Sequence, residues 1–183
     1  MHRSGACHFN NHLNFIGMGK NLFIDAEWFL SQQVYLIGYA YNLNSCNQLY
    51  EVTINRGAFL SLLHGVDTIY CYGPDVGMLE KFFDIDLKSN YYCFNLIGIF
   101  KKLEPHLKSY KLAELEKSIG IKRETMQYKT NIWRLHKDWQ NPRYRHLALQ
   151  YNRDDVVNLI RVKNYFFQTH GITRKDILEY RMK

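Results

Sequence analysis

Several common signatures are missing from this 183-residue chain. No apolar run approaches the ~18 residues that a membrane-spanning helix needs, and VYLIGYAY falls far short. The first twenty residues lack the apolar core of a signal peptide, so secretion is not expected. The four cysteines (Cys7, Cys46, Cys71, Cys93) form no C-x-x-C pair. Free thiols in a reducing, cytoplasmic setting fit that scatter best. Cys7, His8 and His12 lie close together but lack the second ligand pair of a zinc site. Gly17-Met18-Gly19-Lys20 resembles part of a phosphate loop, but Asn14 stands where the first glycine belongs and Asn21 where Ser or Thr belongs. The eight histidines make no triad pattern, and there are no repeats, low-complexity tracts or linkers.

What is present suits one globular domain with a proper core: 46% hydrophobic and 22% charged residues. Residues 1–19 are polar and glycine-containing, and are expected to form a poorly ordered extension ahead of a domain spanning 20–183. Charge is uneven. Residues 1–100 carry 5 Lys+Arg against 8 Asp+Glu, whereas residues 101–183 carry 19 against 9. An acidic half followed by a basic half suits a carboxylate cluster beside a surface for a polyanion.

Three strand-like stretches come first: NLFIDAEWF, VYLIGYAYN and NQLYEVTIN. They are rich in aromatic and β-branched residues, and short polar turns between them predict an antiparallel meander. GAFLSLLHG reads as a short helix with glycine at each end, DTIYCYG as a fourth strand and VGMLEKFF as a short amphipathic helix. YYCFNLIGIF begins as strand and continues as helix. From Ser109 the periodicity is helical: SYKLAELEKSIG stops at Gly120, with Ser109 the expected cap. NIWRLHKDW is a further helix, and a long one runs from about Tyr144 to Phe167. The order indicates an α/β domain with a mixed sheet.

Asp25 and Glu27 stand two apart in the first strand, so they project from one face. Two anions there repel each other, and a shared divalent cation with a taste for hard oxygen ligands, magnesium or manganese, relieves the repulsion. Asp75 follows the fourth strand, where it could equally cap a helix. Tyr151 and Asp155, at i and i+4, share a helix face. Asp154, at i+3 from Tyr151, is the competing choice.

Taken in this order, the acids and the tyrosine resemble the DEDD family of 3′–5′ exonucleases with the ribonuclease H-like fold. That family has D-x-E on its first strand, an Asp after the fourth, and Y-x-x-x-D or H-x-x-x-x-D on a late helix. The histidine form fails, because Gln150 stands where histidine is required. FIDAEW, LKSYKLAELEKSIGIKRE and YNRDDVVNLIRV are similar to a predicted prokaryotic branch, with likeness from about Asn21 to Phe167. The chain departs from it at Trp28 (commonly Thr), at Tyr72-Gly73-Pro74-Asp75 (commonly Asn-Gly-x-x-Phe-Asp) and at Asn95 (commonly Asp).

The resemblance implies a mixed five-stranded sheet, three antiparallel strands then parallel ones, flanked by helices. It implies two-metal phosphodiester hydrolysis at the 3′ end of DNA or RNA. Asp25, Glu27, Asp75 and Asp155 would hold two Mg2+ or Mn2+ ions, and Tyr151 would orient the attacking water. Trp28 and Phe29 are candidates to stack on terminal bases, although core packing suits Phe29 as well. Arg153 is a candidate phosphate contact, along with Lys108, Lys111, Lys122, Arg123, Arg143 and Arg145. A non-cleaving ribonuclease H-like module that binds nucleic acid or protein remains the alternative, and an endonuclease on the same fold is a third reading.

Overall fold

A computed structural model describes residues 19–123, 126–128 and 131–183; Cys7, His8 and His12 lie outside them. Alternating apolar residues make β1 (Lys20–Trp28), which pairs on both sides. On one side it runs antiparallel to β2 (Val34–Ala40), which in turn pairs antiparallel with β3 (Asn47–Tyr50). On the other it runs parallel to β4 (Val66–Cys71), which pairs in parallel with β5 (Tyr92–Asn95). The order β3-β2-β1-β4-β5 is the expected mixed sheet, with β1 at its centre.

Helices cover both faces. Leu22, Ile24 and Ala26 of β1 point to the face covered by α1 (Arg56–Leu62), α2 (Asp75–Phe83) and α3 (Leu87–Asn90). Phe23 points to the opposite face. There it joins residues from α4 (Leu96–Leu103), α5 (Leu112–Ser118), α7 (Arg145–Thr169) and α8 (Arg174–Ile177). A third cluster sets Leu135 and Trp139 of α6 (Ile132–Gln140) against Tyr35, Leu36 and Ala148. No helix among the described residues is long and apolar enough to cross a membrane.

Several elements differ from expectation for local reasons. The third strand stops at Tyr50, because Glu51 takes a left-handed backbone (φ 51°) and opens a 3-10 turn over Glu51–Thr53. α1 begins at Arg56, ahead of Gly57, because the Asn55 side chain accepts the Ala58 N–H. α3 carries no periodicity that a four-residue segment could show. It forms because Asp86 accepts the Ser89 N–H, and the Glu80 carboxylate accepts the N–H groups of Leu87 and Lys88. Ser109 accepts the Lys111 N–H instead of capping α5, whose cap position is Lys111 itself.

Candidate metal centre

The strand alternation that sends Phe23 toward α7 sends Asp25 and Glu27 there too. Asp155 meets them from α7. One carboxylate oxygen of each of these three residues lies within 4.8 Å of the other two. Tyr151 stands one helical turn before Asp155 on the same face of α7. Asp154 turns instead toward Gln150, whose amide donates to it at 2.7 Å.

Asp75 is the first residue of α2, directly after the cap position Pro74. The parallel pairing of β1 with β4 ends at Phe23 opposite Tyr70, so the Ala26 N–H has no strand beside it. The Asp75 carboxylate accepts that N–H at 3.1 Å, carrying the ladder one step further with a side chain. This anchor holds Asp75 beside the trio but outside it. Asn95, the fifth-strand residue, ties the loop down by donating to the Gly73 carbonyl at 3.0 Å.

Electrostatically the site is unfinished. Burial, followed by repulsion from Asp155 and the other acids, pushes the carboxyls of Asp25 and Glu27 well above the usual range. Burial pushes Asp75 and Asp155 up to about 6. The Tyr151 phenol is raised by burial and then by the neighbouring carboxylates. The counter-charge inside the site is Arg123. Its guanidinium bridges Asp155 and the buried Glu116 of α5, and lies over the Tyr151 ring at 5.3 Å. Among the described residues its Nη1 is buried without a partner. Among the described residues, five carboxyl groups face one guanidinium, a formal surplus of four acids over cations. Hard oxygen donors at this spacing and with this surplus fit divalent cations such as magnesium or manganese.

One fully buried residue of the centre is missing from the sequence-based set. Asn152 donates to both the main-chain carbonyl (3.1 Å) and the carboxylate (2.7 Å) of Asp25. Its own carbonyl accepts from Gln48 at 2.9 Å. Gly38, directly opposite Asp25 on β2, makes room for it: a Cβ there would sit 2.3 Å from Asn152 Oδ1. The signal in sequence is a polar residue on a helix row otherwise apolar at Ala148, Val156 and Leu159.

The remaining candidates are placed as follows. Trp28 is half-buried against the α1/α2 core. Phe29 packs on Tyr35 at 4.4 Å between ring centres and on His136 at 5.3 Å. Arg153 is exposed and donates to the Cys46 carbonyl at 3.4 Å, on a different side of α7 from Tyr151. Arg123 is in the buried bridge described above. Asp155, Tyr151 and Arg123 open onto a cavity of about 520 Å³, with Lys101 and Lys111 at its rim.

A central strand carrying D-x-E, met by a carboxylate from a long late helix on a 3-2-1-4-5 sheet, defines a ribonuclease H-like domain with a buried carboxylate cluster. A family model described as the RNase H superfamily matches residues 22–167, and the chain belongs to that superfamily. A solved structure described as the apo form of the nuclease has the same fold. Its TM-score is 0.63 at 13% identity, over 88% of this chain and 77% of that one. No curated protein matches the sequence.

Proposed function

We propose that this chain is a metal-dependent nuclease, and within that class a 3′–5′ exonuclease of the tyrosine DEDD type from the prokaryotic branch. The observation that carries the proposal is the three-carboxylate cluster with Tyr151 one turn from Asp155. Superfamily membership and the nuclease neighbour support the coarser class. In this reading residues 20–183 form the catalytic domain, working in the cytoplasm on the 3′ end of DNA or RNA.

Asp25, Glu27 and Asp155 would hold one divalent ion, and Asp25 with Asp75 would hold a second. Paired ions supply Lewis acidity and lower the pKa of water, so no side chain needs to act as a strong base. The residues do the rest. Tyr151, its phenol kept protonated, directs a water by hydrogen bonding; Asn152 fixes the carboxylate of Asp25; Arg123 holds Asp155 and neutralises part of its charge. Trp28 and Phe29, which end the metal strand, are the proposed contacts to the terminal nucleotide; Arg153, held at the Cys46 carbonyl on another side of α7, does not join them.

The alternative, a non-cleaving module, rests on one observation: Arg123 already gives Asp155 a cationic partner. Digestion of 5′-labelled DNA and RNA with manganese, magnesium or EDTA separates the two, with Asp25→Asn as control. The expected result is a metal-dependent ladder shortened from the 3′ end and absent in the variant. Internal cuts would point to an endonuclease. Intact polymers, with no manganese uptake by calorimetry, would leave the non-cleaving module.

A further inference from the structure

A broad groove lies away from the carboxylates. It has a volume of about 610 Å³ between α6 and the start of α7, and its walls include Trp133, Arg134, Lys137, Tyr144 and Leu147. Trp133 is 63% exposed and Tyr144 39%, an unusual way to display two large rings. Residues 131–147 hold four Lys+Arg, of which Arg145 is paired with Glu51, and a single acid, Asp138. That acid is already engaged, by the Tyr128 hydroxyl at 2.7 Å and by Arg134 at 3.6 Å. The Arg143 guanidinium rides over the Tyr144 ring at 5.6 Å. Flat aromatic faces interleaved with cations are what single-stranded nucleic acid needs: rings for unstacked bases, charges for phosphates. A duplex offers no free base faces to such a surface.

The groove connects with the metal centre through α7. Tyr144, Leu147, Tyr151 and Asp155 follow one another at three- and four-residue spacing along one row. Eleven residues of helix from Tyr144 to Asp155 span about 16 Å. That length is about five nucleotides of stacked strand at ~3.4 Å each, and fewer when extended. α6 also packs beside the end of the metal strand, with the His136 ring 5.3 Å from that of Phe29 between centres.

We infer that the α6–α7 groove is a track for single-stranded nucleic acid, holding the strand a few nucleotides upstream of the bond to be cut. The inference rests on the nuclease reading and adds a substrate class to it: single strands longer than the reach to Trp133. A dinucleotide ends before the groove, so only longer strands gain from it.

The test compares wild type with Trp133→Ala/Lys137→Ala, both exposed positions, on a labelled thymidylate dodecamer and on a thymidine dinucleotide in manganese. Binding of the dodecamer by fluorescence anisotropy, across a salt series, runs alongside. The expected result is KM for the dodecamer raised about tenfold or more with kcat kept, the loss confined to the long substrate. The slope of log affinity against log salt should shrink by about 0.7 for the lost phosphate contact. Cleavage of both substrates by wild type, with the variant equal to it on the dodecamer, would overturn the track and leave the nuclease standing. If wild type cleaves neither substrate, the nuclease reading fails on its own. Dodecamer binding weakened in the variant would then still support the track, and no binding by wild type would overturn it in favour of a protein partner.

Discussion

Gly38→Ala tests the architecture of the centre with one methyl group. An ideal Cβ at Gly38 falls 2.3 Å from Asn152 Oδ1 and 2.7 Å from Val156 Cγ2. Ordinary contact begins near 3.4 Å, so Asn152 has to retreat by about 1 Å. It has nowhere to go, because α7 packs on both β1 and β2 and Asn152 is fully buried. Overpacking costs about 1–3 kcal/mol. Each hydrogen bond that Asn152 then loses, to Asp25 or from Gln48, adds about 1 kcal/mol. The better strand propensity of alanine returns roughly 0.5–1 kcal/mol. A net loss of about 2–4 kcal/mol lowers the melting temperature by roughly 5–15 °C in a domain of this size. Asp25 also loses the side chain that aims it, so manganese affinity should fall about 10–100-fold, as for other orienting partners of metal ligands. Calorimetric melting in EDTA reads the first effect and isothermal titration with manganese the second. Asn152→Ala removes the obstruction, so the double variant should melt well above the sum of the two single losses. A Gly38→Ala protein within about 1 °C of wild type, with unchanged manganese affinity, would refute the account of Asn152 wedged over Gly38.

Two further outcomes follow from the charges. Asp75 and Asp155, raised to about 6 from an unfolded value of ~3.9, bind more protons folded than unfolded between those pH values. Metal-free stability should therefore fall as pH rises from about 4 through 6, by at most about 3 kcal/mol per group. Manganese should restore more at pH 7 than at pH 5, and melting scans with and without EDTA check both. Arg123→Met leaves Glu116 and Asp155 buried without their cation, a loss of about 3–5 kcal/mol. Urea midpoints should recover in part when Glu116→Gln is added, and an unshifted midpoint in the single variant would show that the bridge contributes nothing.

Much of this molecule is legible in one dimension. The alternation through FIDAEW places both acids on one face of the sheet, and the change of period in YYCFNLIGIF marks where β5 becomes α4. Helical spacing puts Tyr151 and Asp155 on one face but leaves Asp154 in competition, and the resemblance to the Y-x-x-x-D form favours Asp155. What stays hidden is set by tertiary contacts. LAELEKSIGIKRE carries Glu116 and Arg123 seven residues apart, and only the turn after α5 brings that pair to Asp155. Asn152 looks like filler between two named residues until β2 offers it a glycine. The third strand ends early at the left-handed Glu51, whose carboxylate meets Arg145, a partner 94 positions further on.

The distance along the chain between the two halves of the centre has a consequence for biosynthesis. Asn152, which grips Asp25, follows it by 127 residues. At about 5–20 residues per second, a ribosome needs roughly 6–25 s to make that stretch. Throughout that interval the nascent chain owns its D-x-E strand but neither Asn152 nor Asp155. A partial product, whether still on the ribosome or cut short, therefore cannot bring the three carboxylates together, whatever nucleic acid lies beside it.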